Sequence, residues 1–171
     1  MNEADMIDMN PESCKAWLLP LFNGLFVAVG EYEIIYIINR WSQFYNVPGA
    51  PAYCNKLIIW REEAVPVFDL SAFVIERDAE LKSKQDIRSR VIVIVAYVSG
   101  KNDIKYGSFS INALPLNMTV SNDLQCDFPQ LQDTWESIAS SCFQSKEYGR
   151  IPVLDIGRIF SSPPQIITSG I

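Results

Sequence analysis

The chain contains no histidine. That absence removes the commonest general base and the commonest zinc ligand. It excludes a Ser-His-Asp or Cys-His catalytic set, and it excludes a phospho-accepting histidine in this sequence. Basic residues are also few. Lysine and arginine number 14 against 20 aspartates and glutamates, for a net charge of −6. Binding a phosphate backbone requires clustered cations, so no nucleic acid is expected as a partner, and an anionic membrane surface is disfavoured for the same reason. Long hydrophobic runs are missing too. The longest, Val91 to Val98, is strand length and far short of the roughly 20 residues that span a bilayer. No direct membrane insertion is expected. Met1 to Asp8 is acidic and lacks a basic signal region, so a cytoplasmic location is expected.

The four cysteines, Cys14, Cys54, Cys126 and Cys142, form no C-x-x-C pair and suit no zinc spacing. They read as buried or idle thiols. No metal ligand, cofactor-binding residue or catalytic residue is assigned.

What the chain does have is strand chemistry. Apolar residues make up 49% of its 171 positions, enough for a packed core. Residues 1–16 are polar and acidic and read as a flexible leader. Asn23-Gly24 between Trp17–Phe22 and Leu25–Val29 is a hairpin signal, because a type I′ turn needs positive φ at both central positions. Tyr32 to Ile38 reads as a buried strand. Residues 46–52 hold two prolines and a glycine and form a rigid loop. Trp41, Phe44 and Tyr45, just before it, read as the lid of a small barrel. Leu57–Trp60 and Ala64–Leu70 flank Arg61-Glu62-Glu63 and predict a second hairpin. Pro66 cannot donate to a ladder, which predicts an edge strand or a bulge there.

Residues 76–90 carry nine charges in fifteen positions and read as a solvated connector. Val91–Val98 turns through Ser99–Asp103 into Ile104–Ile111. Asp133 and Glu136 have capping-box spacing, and Leu131, Trp135, Ile138 and Cys142 follow at helical intervals. One short helix is predicted near 133–145. Ile151-Pro-Val-Leu-Asp-Ile echoes Val65-Pro-Val-Phe-Asp-Leu, 86 residues earlier, as two similar closing strands would. Asp69 and Asp155 end these segments. They read as caps after a strand, and a carboxylate-based hydrolase built on the pair is the remote alternative.

The stretch Val47 to Leu70 resembles the signature of the CheW-like chemotaxis adaptors. Pro51-Ala52, Arg61, Val65-Pro66 and Asp69-Leu70 carry the likeness. Val91–Val95, then Tyr106-Gly107 as the point where a strand turns back, and Ile151–Phe160 extend it over about residues 17–162. The resemblance implies an all-β fold of two small SH3-like five-stranded barrel subdomains, without enzymatic activity or cofactor, followed by a tail at 163–171. It implies two partners, the regulatory domain of a CheA-type histidine kinase and the cytoplasmic tip of a methyl-accepting receptor. Carried over by position, Ile35 and Ile38 face the receptor, and Arg61 sits at a hairpin tip, free for a partner.

Three positions depart from the family pattern. Lys56 and Glu62 stand where glycines are usual, and Ile59 where asparagine is common. A side chain forced to positive φ costs about 1 kcal/mol relative to glycine, and a lysine at 56 can obstruct the receptor contact. These changes suggest a divergent member, from a type IV pilus (twitching) system, or a CheW-like module that acts on another signalling or pilus protein.

Overall fold

The structure is a computed structural model and describes residues 13–77 and 91–161. The first twelve residues of the expected leader, most of the charged connector and the 163–171 tail lie outside them.

Among the described residues, eleven strands form two sheets. The chain opens with β1 (Ser13–Pro20) and β2 (Phe26–Gly30), then crosses to β3 (Ile34–Asn39), β4 (Tyr45–Asn46), β5 (Lys56–Trp60), β6 (Glu63–Asp69), β7 (Val91–Ser99) and β8 (Asp103–Ile111). It returns through β9 (Leu116–Ser121), β10 (Ala139–Ser145) and β11 (Gly149–Leu154). The five-stranded sheet runs β10-β11-β2-β1-β9, and the six-stranded sheet runs β3-β7-β8-β6-β5-β4. Among the described residues three short α-helices accompany them: α1 (Leu70–Arg77), α2 (Gln132–Ile138) and α3 (Ile156–Ser161). The molecule is therefore mostly β with two subdomains, as the sequence predicts. The two-residue β4 makes one sheet six-stranded rather than five.

Alternation explains how the layers pack. Along β7, Val91, Val93 and Val95 enter a core shared between the sheets, while Ile92 and Ile94 enter a second core with Ile58, Trp60, Val65 and Val67. Both faces of β7 are thus buried, which is why its sequence is apolar without interruption. The other sheet repeats the scheme. Leu19, Val27 and Val29 join the shared core, and Leu18, Ala28, Val120 and Ile151 form a third. Each fully buried Ile, Leu or Val contributes about 1.5–3 kcal/mol.

The echoed segments become matching parts. β6 pairs antiparallel with β5 and parallel with β8, then enters α1. β11 pairs antiparallel with β10 and parallel with β2, then enters α3. Asp69 Oδ1 accepts from the Ala72 amide at 2.9 Å, and Asp155 Oδ1 accepts from the Arg158 amide at 3.0 Å. Each aspartate caps the helix that follows its strand.

Several expectations are corrected. Pro66 lies in an interior strand with regular register, not at an edge or bulge. Its carbonyl accepts from Ser108 Oγ at 2.8 Å, on the β8 side, just before the parallel ladder starts at Val67. Because N and O of a strand residue point the same way, the missing N–H falls where no ladder partner is needed. The strand β1 begins at Ser13, inside the segment expected to be flexible. Tyr32–Ile38 is not a buried strand: β3 is an edge, with Tyr36 half exposed. Gly107 lies within β8 and marks no turn; that turn is at Gly100–Asn102, where Gly100 and Asn102 have φ of 57° and 66°.

The helix predicted near 133–145 is shorter. It spans Gln132–Ile138, and residues 139–145 form β10. Its N-cap is Leu131 at φ 68°, without a side-chain cap bond, so Asp133 lies inside the first turn. Two further helices, α1 and α3, were not foreseen.

Candidate functional site

The β5–β6 hairpin turns on two residues, Arg61 at φ 50° and Glu62 at φ 66°. Both central positions lie in the left-handed region that a two-residue hairpin loop demands. The turn survives without glycine because register holds on either side, from Trp60↔Glu63 to Lys56↔Val67. The strain expected at Glu62 is therefore present. None is present at Lys56, which begins β5 without positive φ.

Arg61 is exposed and its guanidinium lies 4.3 Å from the centre of the Trp60 ring. That ring is held in turn by Tyr106, edge-on at 5.3 Å, and Tyr36 at 6.3 Å. Among the described residues no carboxylate pairs with Arg61; their one ion pair is Arg158–Asp155. The stack fixes the guanidinium plane on a rigid base while its forked donors stay unspent, which suits recognition of a carboxylate. Apolar side chains are exposed elsewhere on the same sheet. Val98 and Ile104 face each other across the β7–β8 hairpin and are 63% and 66% exposed. Ile59, on the outer face of β5, is half exposed.

The other expected contact residues do not all join this cluster. Ile35 sits at the β3 irregularity between Ile34 and Tyr36 and is 39% exposed. Ile38 turns inward and packs against the core under Trp60. Lys56 stands at the far end of β5 from Arg61, its Nζ 5.1 Å from the Phe44 ring. Trp41 and Phe44 close that end of the core as a lid, whereas Tyr45 points outward. Sequence reasoning missed Trp60, Tyr36 and Tyr106. The available signal was Trp60 beside the turn arginine. The ring cluster itself depends on register between three strands.

Two carboxylates are perturbed. Burial raises Asp69 above its ordinary value, opposed by the Ala72 amide and by Lys56. Burial likewise raises Glu33, which accepts from the Gly30 amide at 2.6 Å and feels Asp155 nearby. Asp69 and Asp155 are each engaged as helix caps, the geometry expected of structural carboxylates. Among the described residues no three side chains of metal-ligating type converge, and no helix is long and apolar enough to cross a membrane.

A family model described as the CheW-like domain matches residues 32–164. The fold is similar to the crystal structure of the scaffolding protein TtCheW from Thermoanaerobacter tengcongensis, with a TM-score of 0.66 and 14% sequence identity. That similarity covers 93% of this chain and 96% of the other. No curated protein matches.

Proposed function

The chain belongs to the CheW-like domain family, and from that premise we propose that it is a non-enzymatic adaptor in a bacterial chemosensory system. It couples the cytoplasmic tip of a methyl-accepting receptor to the regulatory domain of a CheA-type histidine kinase. It works in the cytoplasm and requires no cofactor.

The family match over residues 32–164 carries this reading, since that span includes the whole six-stranded sheet and the return to β11. Geometry supports it. Two sheets with their own cores, joined through a third, give the β5–β6 hairpin a packed support, which lowers the ordering cost of binding there. Arg61 on its aromatic base supplies a directional contact, and Ile35 an apolar one. Ile38 holds β3 from beneath, and Lys56 adds a cation at the opposite end of β5.

Calorimetry against the kinase regulatory domain and the receptor tip from the same genome tests the proposal. Micromolar or tighter binding, about −8 kcal/mol, is expected. Failure to bind either fragment overturns it.

A further inference from the structure

The segment after β9 returns alongside β10, the edge strand of the five-stranded sheet. It touches that edge at one bridge, Gln125 with Phe143, and the Cys126 amide donates to the Cys142 carbonyl at 2.9 Å. Antiparallel register then sets Cys126 directly opposite Cys142. Residues so paired have Cα atoms about 5.5 Å apart, within the range a disulfide spans. The two sulfurs are 3.6 Å apart, and both thiols are free. Cys142 is buried and Cys126 only partly so.

We propose that Cys126 and Cys142 form an oxidisable dithiol site, which takes a peroxide as oxidant and closes reversibly to a disulfide that locks residues 125–126 onto the edge of β10. This goes beyond the adaptor reading and does not depend on it.

The chemistry balances. The Cys126 thiolate attacks one peroxide oxygen and the O–O bond breaks. Cys126 becomes a sulfenic acid, and hydroxide leaves and is protonated to water. The Cys142 sulfur then attacks the Cys126 sulfur, the S–O bond breaks, and the Cys142 proton leaves with the hydroxyl as water. Two thiols and one hydrogen peroxide give one disulfide and two waters. Burial, and the contact with Cys126, push the Cys142 thiol up to about 12, so it serves as the resolving thiol, and the more exposed Cys126 is oxidised first.

The consequence concerns the edge. An unpaired edge strand invites pairing with another chain. Residues 125–126 cover this one by a single bridge, between the turn at residues 122–124 and Phe128. The Phe128 ring packs on the shared core, and the Phe128 carbonyl accepts from Arg150 at 3.2 Å. Reduced, the cover can lift from β10; oxidised, it cannot. In a reducing compartment such a bond is transient, as redox-responsive disulfides are.

Hydrogen peroxide is added to the full chain, and intact mass, peptide mapping and amide exchange are followed. A loss of two hydrogens is expected, mapped to a Cys126–Cys142 cross-link and reversed by dithiothreitol. Exchange at the Cys126 amide should slow about ten-fold on oxidation. Cys126→Ser should abolish the loss. Cys142→Ala, which keeps the buried site apolar, should leave a sulfenic acid at Cys126 that dimedone traps. Separate over-oxidation of the two sulfurs, a link to Cys14 or Cys54, or a dimer between chains would overturn the site. An unchanged Cys126 exchange rate in the cross-linked chain would overturn its role as an edge lock.

Discussion

The ring of Phe160 lies so close to the α-carbon of Gly107 that a β-carbon there would fall 2.5 Å from Cε2 and Cζ. Phe160 lies in the last turn of α3, which follows the five-stranded sheet, and Gly107 lies mid-strand in the six-stranded one. The ring stacks on Tyr97 at 5.6 Å and touches Phe109 and Phe68. This glycine is needed for space, since its φ is not positive. It gives the helix of one subdomain a seat on the sheet of the other.

Gly107→Ala should therefore expel the ring and destabilise the protein by about 1–3 kcal/mol, the range for overpacking. Phe160→Ala should cost about 2–3 kcal/mol through lost packing at a partly exposed site. The double variant should cost clearly less than the sum, because removing the ring removes the clash. Urea titrations of all four proteins measure the coupling. Additive losses would mean that Phe160 does not sit on Gly107.

Glu33 supplies a pH dependence with a definite sign. Its carboxyl is raised above the ordinary value of 4.5, chiefly by burial. A raised folded value means that the favourable contribution is full below 4.5 and is lost as pH rises through the folded value. At neutral pH the buried charge is therefore a net penalty, increased by Asp155. Glu33→Gln keeps an oxygen that can accept from the Gly30 amide and removes the charge. The variant should melt above the parent at pH 7, and the gap should close at about pH 4. Thermal unfolding at both values checks this, and a variant less stable at pH 7 would contradict it.

Much of the fold could be read from local chemistry, and the failures share a cause. The reversal at Arg61-Glu62 follows from nearby residues, and the Pro66 and Pro152 echo marks two strands that the fold does use alike. The hairpin at Asn23-Gly24 also forms, but not by the two-residue type I′ turn expected: a 3-10 turn over Phe22–Gly24 makes it, and only Gly24 takes positive φ, at 72°. The strand β10 was hidden by its own irregularity. Its register shifts between Ala139 and Ser141, so the buried positions Ala139 and Cys142 fall three apart and imitate a helix continuing from Ile138. Pro66 misled because the ladder begins one residue later, a fact of β8 and not of β6. At the candidate surface, Arg61 could be singled out from its turn. Its base of Trp60, Tyr36 and Tyr106 could not, because those rings meet only once β3, β5 and β8 are in register.

Glu62 and Lys56 should respond to glycine with opposite signs. Glu62 holds φ at 66°, so Glu62→Gly should stabilise the protein by about 0.5–1 kcal/mol. Lys56 lies in a strand with no positive φ, and its Nζ sits over Phe44. Lys56→Gly should therefore destabilise by about 1 kcal/mol, from strand entropy and the lost contact. Denaturant midpoints decide the matter, and equal shifts of one sign would show that φ is not what separates the two sites.

Arg61 tests the adaptor surface itself. The guanidinium is exposed, unpaired among the described residues, and held on Trp60 at 4.3 Å. Its removal should leave the cores untouched, since the apolar base packs beneath it through Tyr106 and Tyr36. Arg61→Ala should thus shift the melting midpoint little while weakening partner binding at least ten-fold, about 1.4 kcal/mol. Arg61→Lys keeps the charge but loses the planar fork and the stack, so it should recover only part of the affinity. Raising the salt should narrow the difference between Arg61→Lys and Arg61→Ala, because what separates them is a screened charge. Titration calorimetry with the kinase regulatory domain and with the receptor tip shows which partner uses this residue. Unchanged affinity for both would move the contact away from the β5–β6 hairpin.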